Sequence, residues 1–285
     1  MGGDNGTTTA GDALMLAYAI PTKFESPDAT TVVEFDPDQG IIPDEWERRQ
    51  ELQGGIETIH GADYGYDPWG GGAAPVGPSQ ERIRALVENE RVDTVLNTLH
   101  SIGRGRLWMQ LHNDDERWAW AKIDTIPRMT LGAEDFLEVP FSIPFTRLSD
   151  WYAADATVLN ETITSSPETV NAMNDGMNTT RNIVITLTAN SAGGFSNPSV
   201  NNTTTNETFT VNRTGGNGDM LRVDVLNFRA EYSEDGGTTW DDTTQSMFLA
   251  NSQVSALSLL PDDNVIVVSG VTDATYRMDF YSAWR

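Results

Sequence analysis

The residues Ser233-Glu234-Asp235-Gly236-Gly237-Thr238-Thr239-Trp240 fit the pattern S-x-D-x-G-x-T-W, known as the Asp-box. These residue types suit a hairpin turn. The aspartate accepts backbone N–H bonds, a glycine takes positive φ, and the tryptophan packs beneath. Sialidase-type glycosidases carry the same pattern once per propeller blade, whereas this chain holds one copy. Ser233, Asp235, Gly237 and Trp240 therefore read as a structural hairpin. Asp36-Pro37-Asp38-Gln39-Gly40 has the flavour of a calcium loop but lacks the third acid. Glu47 reaches the twelfth position only if Asp36 is the first, so a solvated loop is expected. Asp114-Asp115-Glu116 falls between two strand-like runs and reads as a hairpin tip. His60, His100 and His112 are the only histidines, and no pair has zinc spacing. No serine sits in G-x-S-x-G, and Gly103-Arg104-Gly105 lacks the later glycine of a phosphate loop. With 42 acids present, no carboxylate pair can be singled out for glycoside hydrolysis. No catalytic, cofactor-binding or metal-ligating residue is nominated, and neither an enzyme nor a cofactor is expected.

Seven N-x-T sequons occur, at Asn5, Asn160, Asn178, Asn201, Asn202, Asn206 and Asn212. A chain this rich in Asn and Thr produces sequons by chance. There is no Cys, so neither a disulfide nor thiolate chemistry is available. No run of about eighteen apolar residues exists that could span a membrane. The first twelve residues have no basic end and no apolar centre, unlike a secretory signal.

Forty-two acids against eighteen bases give a net charge of −24. Residues 1–152 hold 26 acids and 12 bases, and residues 153–285 hold 16 and 6, so both halves are acidic. Only Lys23 and Lys122 are lysines. A calcium-loving protein, a surface that repels DNA and an adaptation to high salt all yield such a balance. The Debye length is about 30 Å in dilute buffer and about 3 Å in molar salt, so self-repulsion fades as salt rises. Acid excess in both halves with almost no lysine fits high salt best. It argues against nucleic-acid binding, for which a basic patch must displace counterions.

The expected elements are mostly strands. Residues 1–12 read as a disordered start and residues 21–78, rich in Pro and Gly, as a long irregular insertion. Ser79–Asn89 reads as a strand with Ile83, Ala85 and Val87 on one face. Val92, Val95, Leu96 and Leu99 recur at helical spacing, with Gly103 as the stop. Strand-like runs follow at Gly105–His112, Arg117–Ile126 and Phe136–Thr146. In the second, Trp118, Trp120 and Lys122 share a face. In the third, Pro140 and Pro144 point to an edge strand. From Ala153 onward Thr, Asn, Ser and Gly dominate, and short strands recur every 8–15 residues, the pattern of an antiparallel sandwich. The expected organisation is two-domain and mainly β, with residues 13–153 holding one helix and residues 154–285 forming the sandwich.

The order of these features resembles the distal tail (Dit-like) proteins of siphovirus-type tail tips. In the first half the resemblance covers Ile83 to Trp151: it begins with a strand after the Pro-rich Ala74-Pro75-Val76-Gly77-Pro78 and runs through the helix Val92–Leu99 and the Gly103-Arg104-Gly105 turn into Leu107-Trp108-Met109-Gln110-Leu111. It continues in Arg117-Trp118-Ala119-Trp120-Ala121-Lys122 and Val139-Pro140-Phe141-Ser142-Ile143-Pro144-Phe145, and closes the first domain at Trp151. In the second half, the cues are Asn174-Asp175-Gly176, Ile183–Leu187, Leu221–Asp224, the Asp-box hairpin, Leu259–Val268 and the final Met278–Arg285. About 70% of the chain is covered, and order and spacing carry the likeness. One departure is that Asp262-Asp263 stands where the family often has glycine in Pro-Gly-x-Asn.

The resemblance implies an N-terminal ring-forming β-sandwich domain and a C-terminal galectin-like antiparallel β-sandwich. It implies a homo-hexameric ring at the distal end of the tail tube. Such a ring joins the tail tube protein to hub and tip proteins that reach the host, and DNA passes through it without specific binding. The location implied is the virion tail tip. Together with the charge, this points to a virus of a halophilic host. Two alternatives compete: a carbohydrate-binding module, favoured by exposed tryptophans around Trp240, and a tail tube protein, which would stack rings.

Overall fold

The computed structural model describes residues 20–49, 57–58, 65–66, 79–111, 115–125, 138–249 and 257–284. It is mostly β, with one α-helix among the described residues. The chain divides into two compact units, the first ending at Trp151 and the second running Tyr152–Arg285. Residues 1–12, residues 59–64 and 67–78 of the expected insertion, Asp114, His60 and His112 lie outside the described residues.

The first unit contains β1 (Ile20–Glu25), β2 (Val32–Glu34), β3 (Ile41–Arg49), β4 (Glu57–Thr58), β5 (Gly65–Tyr66), β6 (Ser79–Glu88), α1 (Val92–Ile102), β7 (Arg104–Gln110), β8 (Glu116–Ile123) and β9 (Glu138–Arg147). Seven of these strands pair in the order β2-β1-β7-β8-β9-β6-β3. Along them the residues alternate, as the two-residue period of a pleated strand requires. Ile83, Ala85 and Val87 of β6, Leu107 and Met109 of β7, and Phe141, Ile143 and Phe145 of β9 are buried on one face.

That face closes on itself. Phe24 on β1 and Phe145 on β9 are separated by two intervening strands, about 14 Å in a flat sheet. Their ring centroids are 4.9 Å apart at an interplanar angle of 63°. The sheet is therefore strongly curled, and its inner face is the core. The helix α1 buries Val92, Val95, Leu99 and Ile102, one amphipathic stripe, and ends where the Gly103 N–H bonds to the Leu99 carbonyl. Ile102 meets the inner face at Gly105. A Cβ on Gly105 would lie 2.0 Å from the Glu25 carbonyl oxygen, so only glycine permits this approach of β1 and β7.

The reading of residues 21–78 as an irregular insertion does not hold for their first part. β1 lies between β2 and β7, and β3 pairs along β6 from Ile41 to Arg49. The prolines that disguise these strands stand at irregularities. Register shifts between Pro21 and Lys23 in β1 and between Pro43 and Glu45 in β3. Bulges are where a residue without an N–H is tolerated. The prolines of β9 have a related explanation. β6 pairs with all of β9, whereas β8 is registered only with Phe145, Thr146 and Arg147 and the Asp124 N–H reaches the Pro144 carbonyl, so among the described residues no strand pairs the second edge of residues 138–143.

The second unit contains β10 (Trp151–Ala153, beginning one residue before it), β11 (Thr157–Ile163), β12 (Glu168–Asn174), β13 (Ile183–Ala189), β14 (Phe195–Asn202), β15 (Glu207–Val211), β16 (Thr214–Gly215), β17 (Met220–Asp224), β18 (Arg229–Ser233), β19 (Asp241–Asp242), β20 (Met247–Leu249), β21 (Asp262–Val271), β22 (Ala274–Phe280) and β23 (Ala283–Trp284). Two antiparallel sheets form, β11-β22-β13-β17-β18-β19 and β12-β21-β14-β15-β20. Inward residues of both merge in one core cluster, for example Ile185, Leu221 and Tyr276 from the first and Val200, Phe209 and Ile266 from the second. This is the architecture of a sandwich. The turn entering β21 places Asp262 at φ 70°, in the left-handed region that glycine suits. Asn264 supports it by donating to the Leu260 and Asp262 carbonyls and accepting from the Leu260 N–H.

Candidate functional site

The outer face of the first unit's sheet gathers side chains of one kind across β1, β7 and β8. Register sets Lys23 opposite Trp108 and Glu25 opposite Arg106. It sets Arg104 opposite Lys122, Arg106 opposite Trp120 and Trp108 opposite Trp118. Glu25 is buried, and a buried carboxylate is costly unless its oxygens are bonded. Its Oε1 accepts from Trp108 Nε1 at 2.8 Å and faces Arg106 Nη2 at 2.9 Å, while Oε2 lies 3.3 Å from Lys23 Nζ.

Around this anchor the cations lie on aromatic faces. Lys23 Nζ is 4.3 Å from the Trp108 ring centroid. The Arg106 guanidinium is 5.9 Å from Trp108 and 5.7 Å from Trp118, and Arg104 is 5.7 Å from Trp120. Trp118 and Trp120 meet edge to face at 5.6 Å. Such stacking is favourable, and it restricts side chains that otherwise sweep freely. The face holds both lysines of the chain, and Arg104 and Lys122 are exposed. Residue order alone pairs Trp118 and Trp120 with Lys122. It leaves out Lys23, Glu25, Arg104 and Arg106. The available signal is a second period-two run, Arg104-x-Arg106-x-Trp108, that must zip against the first.

In the second unit, Ser233, Asp235, Gly237 and Trp240 come together in one turn after β18. Asp235 Oδ1 accepts from the Thr238 N–H at 2.9 Å, the Thr239 N–H at 2.8 Å and the Ser233 hydroxyl at 2.7 Å. Oδ2 accepts from the Thr239 hydroxyl at 2.7 Å. The Gly237 N–H donates to Ser233 Oγ at 2.8 Å, and Trp240 Nε1 donates to the Gly237 carbonyl at 3.0 Å. Gly236 and Gly237 take φ of 69° and 89°. The Thr239 backbone N–H, with the Thr239 and Ser233 hydroxyls, holds the Asp235 carboxyl at about 2, below its ordinary 3.8.

A carboxyl held low contributes stability that is fully present above its ordinary range and lost as pH falls through its folded value. Asp235→Ala is therefore expected to lower the thermal midpoint near neutral pH. The difference from wild type should shrink between about pH 4 and pH 2, measured by thermal melts across that window. A difference that stays constant down to pH 2 contradicts this account of the turn.

The Trp240 ring is not an open platform. The Arg222 guanidinium lies 4.2 Å from its centroid, held there by Glu231 Oε2 at 2.9 Å from Nε and 2.6 Å from Nη2. A cation thus covers one face of the Trp240 ring.

Asp36 accepts from the Asp38 N–H and caps a short 3-10 turn at Pro37–Gln39. Among the described residues no group of three or more His, Cys, Asp or Glu side chains is arranged to hold a metal ion. His100 is exposed on α1. Of the sequons, Asn202 is fully buried and donates to the Ser258 carbonyl at 2.6 Å, whereas Asn160, Asn206 and Asn212 are exposed. A groove of about 480 Å³ runs between β2 and α1, lined by Val33, Glu34, Gln39, Arg91, Thr94 and Val95 among others. The Arg91 guanidinium bonds across it to the Gln39 carbonyl. No helix among the described residues is long and apolar enough to cross a membrane.

No protein-family model matches the chain, and no curated protein matches it. Among solved structures the chain is similar to the SPP1 Dit protein (gp 19.1), described as a paradigm of the hub adsorption apparatus in phages that infect Gram-positive bacteria. The TM-score is 0.56 at 12% sequence identity, over 92% of this chain and 98% of that one. At this identity the likeness is one of fold, and it spans both units.

Proposed function

We propose that the chain is a structural component of a virus tail tip, without catalysis or cofactor. The supporting observation is the fold likeness to the SPP1 Dit protein along nearly the whole length of both chains. A single β-sandwich is shared by many unrelated proteins, so likeness over one unit carries little functional weight. Likeness over two dissimilar units in the same order carries more.

In this reading the first unit forms a homo-hexameric ring at the distal end of the tail tube. The ring contacts the tail tube protein on one side and hub or tip proteins on the other, and DNA passes through its opening without specific contacts. The second unit, read as galectin-like, decorates the rim, with the Asp-box turn as a structural hairpin. The acid excess suits a halophilic host. That part of the reading expects a higher thermal midpoint in molar salt than in dilute buffer, and equal midpoints would remove it.

Assembly is tested by light scattering behind size exclusion. Six chains of 31.3 kDa weigh about 188 kDa, and a closed ring stops at that mass or pairs once. A tail tube protein instead stacks rings into longer species. A mass that grows without limit as concentration rises moves the reading from tip to tube.

A further inference from the structure

Of the nineteen asparagines, two are followed by glycine, Asn5 and Asn217. Asn217-Gly218 is the one such step among the described residues. It forms the tip of the turn from β16 to β17, and both residues are exposed. An asparagine so placed carries an electrophile close to a nucleophile. Its Cγ lies within ring-closing distance of the next backbone nitrogen, and glycine has no side chain to shield that nitrogen.

The reaction open to this pair is cyclisation. The Gly218 nitrogen gives its proton to base and bonds to Asn217 Cγ. The Cγ–Nδ2 bond breaks, and Nδ2 takes up a proton and leaves as ammonia. Water then opens the five-membered imide at either carbonyl. One opening gives aspartate. The other gives isoaspartate, in which the main chain runs through the former side chain. Nothing is oxidised or reduced, and each product is heavier by the exchange of NH for O.

The fold holds this reaction back. The Gly218 N–H donates to the Ala189 carbonyl at 2.8 Å, so its nitrogen is not free to turn on Cγ. The Asp219 N–H donates to the Gly216 carbonyl at 3.0 Å and closes the turn, with Gly218 at φ 86°. Asp219 ties the turn down. Its Oδ2 accepts from the Gly216 N–H at 2.7 Å and the Tyr232 hydroxyl at 2.6 Å, and its carbonyl accepts from the Ala189 N–H at 2.9 Å. Against these bonds, residues 216–218 bury no apolar side chain, which places the tip toward the low end of local opening free energies.

We propose that Asn217 is a site of spontaneous deamidation, gated by the opening of the β16–β17 turn. The inference does not depend on the tail-tip reading. The two products have different consequences. Aspartate adds one charge at an exposed tip. Isoaspartate lengthens the main chain between Asn217 Cα and the Gly218 nitrogen by one atom. That puts the Gly218 and Asp219 N–H groups out of step with the Ala189 and Gly216 carbonyls. The β13–β17 pairing then loses its clasp at the Thr188–Met220 end.

Trypsin cleaves after Arg213 and Arg222, and the resulting peptide holds Asn217 as its one asparagine and no glutamine. The test keeps the folded full-length protein in mildly alkaline buffer, digests it at intervals and weighs this peptide. A synthetic peptide of residues 214–222 in the same buffer sets the ungated rate. The folded protein should react about 10–100-fold more slowly than the peptide, an opening free energy of about 1.4–2.7 kcal/mol. In urea the two rates should meet. Tyr232→Phe removes the hydroxyl that bonds Asp219 and the Thr214 carbonyl. It should speed the folded reaction about 2–10-fold, with no effect in urea, and a thermal melt checks that it folds. Asn217→Asp should melt with wild type, whereas protein aged until Asn217 has reacted should melt lower. An Asn217 fully intact after about 100 peptide half-lives would overturn the site. A folded rate equal to the peptide's, or a folded Tyr232→Phe rate equal to wild type's, would overturn the gate. Aged protein that melts as Asn217→Asp does would overturn the consequence drawn for isoaspartate.

Discussion

Replacing Arg147 with alanine is expected to cost the first unit about 3–5 kcal/mol, the usual penalty for stranding one member of a buried ion pair. Arg147 is 4% exposed and its partner Glu81 is 0% exposed, with Nε and Oε1 3.2 Å apart. Nη1 also donates to the Ser149 carbonyl at 2.7 Å, and the guanidinium lies 5.5 Å from the Trp151 ring. Removal of the arginine takes the guanidinium away from a carboxylate that is fully buried in the core. A domain's whole stability is about 5–15 kcal/mol, so the loss approaches unfolding. Six of the eight tryptophans precede residue 152, so urea titration followed by tryptophan fluorescence reports mainly on this unit. The double variant Glu81→Leu/Arg147→Met should recover most of the loss, because the cost lies in the stranded charge more than in the missing attraction. A single variant within about 0.5 kcal/mol of wild type would mean that the pair is open to solvent.

Phe145→Ala is the second large effect, expected at about 3–5 kcal/mol for a fully buried aromatic replaced by alanine. Its additional content is a coupling. Phe145 touches Phe24 only because the sheet curls, with the ring centroids 4.9 Å apart. The Phe24→Ala/Phe145→Ala double variant should therefore cost less than the sum of the singles, by about 0.5–1.5 kcal/mol. Strict additivity would place the rings out of contact and the sheet flatter than described.

The features legible from residue order are those whose partners lie close in the chain. The helix start at Val92, its stripe of Val95 and Leu99, and the Gly103 stop need only local spacing. The same holds for β6, β7 and β8, whose alternation survives because their outward residues are mostly Arg, Gln, Glu, Trp or Lys. The Asp-box turn is legible for the same reason, since each acceptor and donor lies within four residues of its partner.

Features that depend on distant partners were hidden. β1 and β3 carry Pro21 and Pro43, which read as breakers until the bulges beside them are known. β11, β12 and β14 are diluted by outward Asn and Thr, so that β12 shows inward only Val170, Ala172 and Asn174. The Glu25–Arg106 contact and the Glu81–Arg147 pair join strands far apart in the chain, and no local pattern announces either. The charged face of the candidate site belongs to this second kind. Its residues are ordinary one by one, and only the pairing of β1 with β7 and of β7 with β8 makes them a surface.

The central claim is most directly tested by imaging the assembled wild-type protein as single particles from the size-exclusion peak. The account predicts closed six-fold rings with an open centre, single or paired once, at about 188 kDa per ring. Particles that are single chains at every concentration, or tubes of indefinite length, would contradict it.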